Sequence, residues 1–162
     1  MPAPHLTRPA TTVRRPRPVA VLDTQVVLDW LAFRDPGAAA VGRAIETGRL
    51  EWVASAAMRA ELNHVLGRGV AAAWHPDRGA IAATWERCAL PLEPVAQPAS
   101  GLRCTDPSDQ MFIDLALTAA AGWLFTRDLA LLRLAPRALR SGVAVLRPRD
   151  WRGDALVPAT GR

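Results

Sequence analysis

The sequence predicts an α/β fold, a three-layer αβα sandwich in which a parallel β-sheet lies between two layers of helices. Two observations predict it. Several short runs are continuously apolar, such as PVAVLD at 18–23, which is typical of strands buried on both faces. These runs alternate with segments whose apolar residues recur every three or four positions, as they do in amphipathic helices. Alternating strands and helices favour a parallel sheet with helices on both faces.

The same patterns place each element along the chain. Four segments are short and apolar enough to be buried strands, and they lie at 18–23, 50–54, 123–126 and 142–148. The predicted helices lie at 24–33, 38–48, 55–69, 77–88 and 106–122, with one or two further turns at 127–134. A proline-rich link at 90–101 separates the fourth helix from the fifth.

Helix boundaries are predicted from the residues that begin and end helices. Thr24 and Ser55 stand where an N-cap is expected, since a hydroxyl there can accept a free backbone N–H. Pro107 suits the first turn of the fifth helix. Gly67 or Gly69 is expected to end the third helix.

The length of the chain fits one domain. Its 162 residues are enough for a sizeable core, and we expect the domain to occupy 18–150. Residues 1–17 are rich in proline and arginine and predict a flexible arm, and residues 151–162 predict a C-terminal tail. The N-terminus lacks the apolar core of a secretory signal, and two cysteines without a metal-binding pattern indicate a reduced, cytoplasmic protein.

Charge offers a first indication of a partner. The net charge is +5 and all 20 basic residues are arginine, a side chain that binds phosphate through a planar fork of donors. Nucleic acid is therefore a reasonable partner, although charge that only keeps the protein soluble explains the composition equally well. Arg14, Arg15 and Arg17 of the predicted arm could contact an RNA backbone, with an inert tail as the alternative.

Four acidic residues stand where a shared crevice would form. Asp23 and Asp128 each follow a predicted strand, and ligand sites of open parallel sheets lie outside the carboxyl ends of the strands. Glu61 flanks the apolar stripe of the third helix, and Asp109 lies in the first turn of the fifth. Each could simply cap a helix or face solvent. Four carboxylates in one crevice, however, would repel each other unless cations bound there.

The chemistry of such a crevice is specific. Carboxylate oxygens without nitrogen or sulfur ligands select Mg²⁺ or Mn²⁺. Such ions can activate a water and stabilise the leaving oxygen when a phosphodiester is hydrolysed. Hydrolysis of a phosphodiester is therefore a reaction that such a crevice could support.

Three segments together resemble a known family. VAVLDTQVVLDWL, ASAAMRAELNHVLGRG and DPSDQMFIDLALTAAAGWLFTRDLALL are similar, in order and spacing, to the motifs of PIN domains, in particular the bacterial toxins of toxin–antitoxin pairs (VapC-like ribonucleases). The resemblance covers about residues 19–148. It implies a PIN-like fold, a Mg²⁺- or Mn²⁺-dependent endoribonuclease, an RNA substrate, a cognate antitoxin protein as partner and a homodimer.

Matched position by position, the resemblance assigns roles to individual residues. Its four acidic metal ligands and catalytic residues correspond to Asp23, Glu61, Asp109 and Asp128. Supporting roles fall to Thr24, Ser55 and Thr126, which would orient the carboxylates, and to Asp106, which would be structural. Arg127, beside the fourth acid, would contact the RNA backbone.

One position departs from the family pattern. Gln25 replaces an asparagine that PIN domains usually carry, and its extra methylene changes its reach. This departure leaves open a second interpretation, a non-catalytic PIN-like module that binds RNA or protein. Two further polar residues are given no role, because His64 lacks the second Glu-x-x-His pair of a di-iron site and Asp114 points away from Asp109 around the helix.

Overall fold

Five parallel strands form one sheet in the computed structural model, which describes residues 17–96 and 100–153. The strands are β1 (Val19–Leu22), β2 (Glu51–Ala54), β3 (Ala89–Pro91), β4 (Trp123–Phe125) and β5 (Ala144–Leu146), in the spatial order β3-β2-β1-β4-β5. Register is regular across the centre, where Leu22 of β1 lies opposite Phe125 of β4. The predicted parallel α/β fold is confirmed.

Seven helices connect the described strands. They are α1 (Thr24–Leu31), α2 (Ala39–Glu46), α3 (Ala56–Gly67), α4 (Arg78–Cys88), α5 (Gln110–Thr118), α6 (Leu129–Leu132) and α7 (Ala135–Arg140). From β1 the chain builds outward to β2 and β3, then returns to place β4 on the other side of β1 and β5 beyond it. Because crossovers between parallel strands are right-handed, this reversal puts α1–α4 on one face and α5–α7 on the other.

The core consists of the sheet and the apolar faces of the helices on it. The central strands β1 and β4 are almost fully buried, as continuous apolar runs require. Indole rings fill the wider gaps. Trp52 of β2 makes edge contacts with Trp30 and Trp85, and Trp151 packs the same way on Trp123 and Phe125. Trp151, the first residue of the predicted tail, is thus part of the core.

Two elements of the structure were not predicted from the sequence. The edge strand β3 lies in the segment predicted as the end of a helix and a proline-rich link, and two of its three residues are exposed. The short helix α7 buries only Ala138 and begins with a proline in its first turn. Neither has the apolar pattern from which buried elements are predicted.

Two helix starts differ in detail from the predictions. Thr24 was expected to cap α1, but Asp23 is the N-cap and accepts the Val26 N–H, so Thr24 is the first helical residue. Asp23 takes this position because it follows strand β1 in an extended conformation, from which its carboxylate can accept a backbone N–H in the first turn of α1. The fifth helix begins with a 3₁₀ turn at Pro107–Asp109 before the α-helix. Ser55 caps α3 as predicted.

No helix among the described residues is both long enough and apolar enough to cross a lipid bilayer.

Candidate active site

Asp23 occupies the carboxyl end of the central strand. Its backbone N–H donates to the carbonyl of Phe125 at 3.1 Å, so the sheet itself fixes the residue. Its side chain is 4 % exposed; one oxygen accepts the Val26 N–H at 2.8 Å and the other accepts the Thr126 hydroxyl. Burial raises the pKa of this carboxyl to about 6, although those hydrogen bonds favour the charged form.

Thr126, which follows β4, makes hydrogen bonds to two of the acidic residues. Its hydroxyl donates to Asp23 and accepts the backbone N–H of Asp128 at 2.9 Å. The Asp128 carboxylate in turn caps α6, where it accepts the Ala130 N–H at 2.6 Å. Asp128 is exposed to solvent, so it forms the outer wall of the site. One buried hydroxyl therefore sets the positions of a strand-end acid on each of two adjacent strands.

Glu61 reaches the site from α3. The Thr24 hydroxyl, in the first turn of α1, donates to the Glu61 carboxylate at 2.7 Å. This hydrogen bond crosses between two packed helices and fixes the acid beside the end of β1. Thr24 therefore contacts a carboxylate that lines the same cavity.

Asp109 belongs to the segment before α5, on the opposite face of the sheet from the helix that carries Glu61. It ends the 3₁₀ turn Pro107–Asp109, and Asp106 begins that turn by accepting the backbone N–H of Ser108 at 3.0 Å. The pKa of Asp109 is raised to about 7, first by burial and then by the negative charges of its neighbours. Those neighbours are Asp128, Asp106, Asp23 and Glu61.

One cavity joins the four acids. Its volume is about 200 Å³, and its polar lining consists of Asp23, Glu61, Asp109, Asp128, Thr24 and Gln25. Leu28, Val65 and Phe112 form its apolar wall. The cavity lies between the ends of β1 and β4, where the strand order reverses and where open α/β sheets place their ligands.

The family follows from comparison with known proteins. Residues 19–130, more than half of the chain and including all four acids, match the family model of the PIN domain. The chain belongs to the PIN domain family. A search of curated proteins finds no match. Since PIN domains are generally nucleases, membership indicates nuclease activity as the coarse function of this chain.

Some residues singled out in the sequence lie away from the cavity of this PIN domain. Ser55 is buried and accepts the Met58 N–H at 3.3 Å, so its observed contact is that of a helix cap. Asp114 accepts from Gln110 outside the cavity, and His64 is exposed. Arg17 lies near Gly48 at the amino ends of the strands, the far side from the acids. Arg14 and Arg15 lie outside the described residues.

Gln25, the departure from the PIN pattern, has a specific partner. Its amide nitrogen donates to the Asp29 carboxylate at 3.0 Å, one helical turn later, although the residue also lines the cavity. Asp29 is itself buried and binds the Nε of Arg127 at 2.9 Å. Asp29 was not among the residues predicted from the sequence. The available signal was an acid inside the otherwise apolar run VVLDWL.

The donor chemistry of the cavity fits a divalent cation. All four acids supply oxygen. Burial, and then the negative charges of neighbouring acids, raise the pKa of Asp109, and a bound cation would relieve that repulsion. Asp23 still has free lone pairs, because each carboxylate oxygen can accept more than one bond. Within residues 17–96 and 100–153, no group of three or more acidic, histidine or cysteine side chains is already arranged to hold an ion.

Proposed function

We propose that this PIN domain is a metal-dependent endoribonuclease that hydrolyses RNA phosphodiester bonds. The observation that carries the proposal is the single cavity lined by Asp23, Glu61, Asp109 and Asp128. Carboxylates from four separate elements converge at the one edge of the sheet where its topology provides a crevice. Stability alone gives no reason to gather them, since two of the four have raised pKa values.

The four acids would hold Mg²⁺ or Mn²⁺. When bound, such an ion supplies an activated water and charge stabilisation for cleavage of a phosphodiester. Thr126 keeps Asp23 pointed at the cavity, and Thr24 does the same for Glu61. Leu28, Val65 and Phe112 form the apolar wall beside these acids.

RNA is the proposed substrate because the motif resemblance points to ribonucleases and because the basic chain suits a polyanion. The net charge of +5 and the exposed Arg127 beside Asp128 would neutralise backbone phosphates and make binding salt-dependent. Parallel assays with single-stranded RNA and DNA of the same sequence test the choice. Cleavage of RNA alone supports it, and equal cleavage of both contradicts it.

The proposed biological role is that of a cytoplasmic toxin, held inactive by an antitoxin that covers the acidic cavity, with the toxin itself a homodimer. The experiment is induced expression of wild type and Asp109→Asn in a bacterial host. Growth arrest by the wild type alone, relieved by the product of the adjacent gene, supports the role. Unimpaired growth with the wild type contradicts it. Sedimentation of the purified protein as a monomer would contradict the homodimer.

Substitution of matched helix caps tests the catalytic assignment. Asp23 caps α1 and Asp77 caps α4 through the same kind of contact, to Val26 N–H and Ala80 N–H. Asparagine is as good an N-cap as aspartate, so both Asp→Asn variants should fold. With labelled RNA and Mn²⁺, we expect Asp23→Asn to lose cleavage by about 10²-fold or more and Asp77→Asn to keep it. Equal rates for the two variants would remove Asp23 from the reaction.

The second candidate is a non-catalytic module that binds RNA or protein. It is favoured by Gln25, whose amide binds Asp29 in place of an acid of the cavity. Under this alternative, the wild type binds labelled RNA but does not cleave it with either metal. Metal-dependent cleavage that Asp23→Asn abolishes excludes the alternative.

A further inference from the structure

A second cleft lies next to the acidic cavity, on the side of β5. Its volume is about 150 Å³, and its charged lining consists of Arg127, Arg147, Arg149, Asp29 and Asp35. Asp128, which lines the acidic cavity, directly follows Arg127 in the chain. The two clefts are therefore neighbours along the carboxyl edge of the sheet.

Arg127 lies in the wall of this cleft, where an ion pair holds its guanidinium. Its Nε donates to Asp29 at 2.9 Å, and Asp29 is fixed from the other side by Gln25 at 3.0 Å. A second nitrogen of the guanidinium lies 4.0 Å from the carboxylate of Asp35. The side chain remains 46 % exposed, so the remaining N–H groups face the cleft and solvent. Asp29 thus orients a guanidinium without enclosing it.

Arg147 supplies a second guanidinium that has no partner within the described residues. It directly follows β5, and the Thr126 N–H donates to the carbonyl of Leu146 at 3.1 Å, so the ends of β4 and β5 are paired. This pairing places Arg147 next to Arg127. Its side chain is half-buried in the cleft but makes no hydrogen bond or ion pair with the part of the chain that the structure describes. A half-buried charge without a counter-ion favours an anionic ligand.

The cleft has an excess of positive charge that an anion would neutralise. Three guanidinium groups face two carboxylates, and both carboxylates are already engaged. Asp29 binds Arg127, and one oxygen of Asp35 accepts the Gly37 N–H at 2.6 Å. Arg149 lies 4.0 Å from Asp150, but both side chains are mostly exposed, so that contact contributes little.

We propose that Arg127, Arg147 and Arg149 form a binding site for a backbone phosphate of an RNA strand whose scissile bond lies in the acidic cavity. Neighbouring strands are about 4.8 Å apart, so the end of β5 lies roughly 10 Å from the end of β1. That separation corresponds to a few nucleotides of a strand. The site would fix the register of the RNA over the acids. This inference rests on the proposed function for its choice of RNA.

Binding of RNA without cleavage tests the inference. The probe is a fluorescein-labelled single-stranded RNA in EDTA, titrated with wild type, Arg147→Gln and the control Arg87→Gln at several salt concentrations. Arg87 is exposed on α4 near the amino ends of the strands, so its variant removes the same charge away from the cleft. The Arg147 side chain has no observed contact to lose, and thermal unfolding checks that both variants remain folded.

The expected result is a loss of RNA affinity of about tenfold in Arg147→Gln and little change in Arg87→Gln. The slope of log affinity against log salt should also fall by about 0.7, the value for one phosphate contact on a single strand. Equal affinities and slopes for the two variants would overturn the inference, as would a wild type that binds no RNA. If Arg147→Gln alone weakens binding but the wild type cleaves no RNA with Mg²⁺ or Mn²⁺, the phosphate site stands and the nuclease proposal fails.

Discussion

The Asp29 carboxylate binds the Nε of Arg127 at 2.9 Å and thereby joins helix α1 to the loop that carries the acid Asp128. Because Asp29 is buried, Arg127→Gln should leave an uncompensated charge and destabilise the protein by about 2 kcal/mol. The double variant Arg127→Gln/Asp29→Asn should recover part of that loss, since no charge is then left unpaired. Urea unfolding of the single and double variants measures both effects. Strict additivity of the two substitutions would contradict the coupling.

Gln25→Asn restores the residue that PIN domains usually carry. Asparagine is one methylene shorter and should no longer reach Asp29 one turn along α1, so the 3.0 Å hydrogen bond is lost. We expect a loss of about 1.5 kcal/mol in the free energy of unfolding, typical of a hydrogen bond to a charged group. Chemical denaturation measures it. An unchanged midpoint would show that the longer side chain contributes nothing through Asp29.

The raised pKa of Asp109 predicts how stability depends on pH. The folded protein keeps this proton up to about pH 7, whereas the unfolded chain loses it near the ordinary value of 3.8. In that window the native state binds more protons, so this residue's contribution to the free energy of unfolding falls as pH rises from about 4 to about 7.

Asp109→Asn should therefore be more stable than wild type at pH 8 in EDTA, with the difference vanishing near pH 4. Thermal unfolding across this range checks the prediction, with Asp114→Asn, on the same helix but outside the cavity, as the control. A difference between Asp109→Asn and wild type that does not change with pH would contradict it.

Two glycines in helices should respond oppositely to alanine. At Gly42, buried in α2, a Cβ would lie 2.8 Å from an indole carbon of Trp30 and closer still to other ring atoms. Gly42→Ala should therefore cost about 1–3 kcal/mol through overpacking. At Gly67, the last residue of α3, nothing lies within 4 Å, so Gly67→Ala should stabilise by about 0.5 kcal/mol. Thermal unfolding of the two variants measures both changes in stability. An unchanged stability of Gly42→Ala would show that Trp30 can move.

Sequence reasoning reached the buried elements because their patterns are strong. Strands β1 and β4 are continuous apolar runs, and Ser55 before α3 is an unambiguous cap. The edge strand β3 was missed because it pairs with another strand, β2, on one side only. Two of its three residues are exposed, and a proline such as Pro91 is more typical of a loop than of a buried strand. The sequence left two residues open as the cap of α1, since both Asp23 and Thr24 can cap a helix, and only the observed end of strand β1 decides between them.

The meeting of the four acids in one cavity could be predicted from the sequence, whereas the arginine cleft could not. Asp23 and Asp128 follow strands directly, so local pattern and one topological rule suffice to bring them together. Asp29, Arg127 and Arg147 are far apart in the chain, and they meet only because β4 and β5 take their places beside β1. The order of the strands in the sheet cannot be predicted from any local pattern in the sequence.

Anomalous diffraction from a crystal soaked in Mn²⁺ would show whether the four acids bind a divalent ion, since the signal locates the ion. We expect an anomalous peak in the cavity between β1 and β4, within coordination distance of carboxylate oxygens that include those of Asp23 and Asp109. An empty cavity at saturating Mn²⁺, with the four carboxylates turned apart, would contradict it.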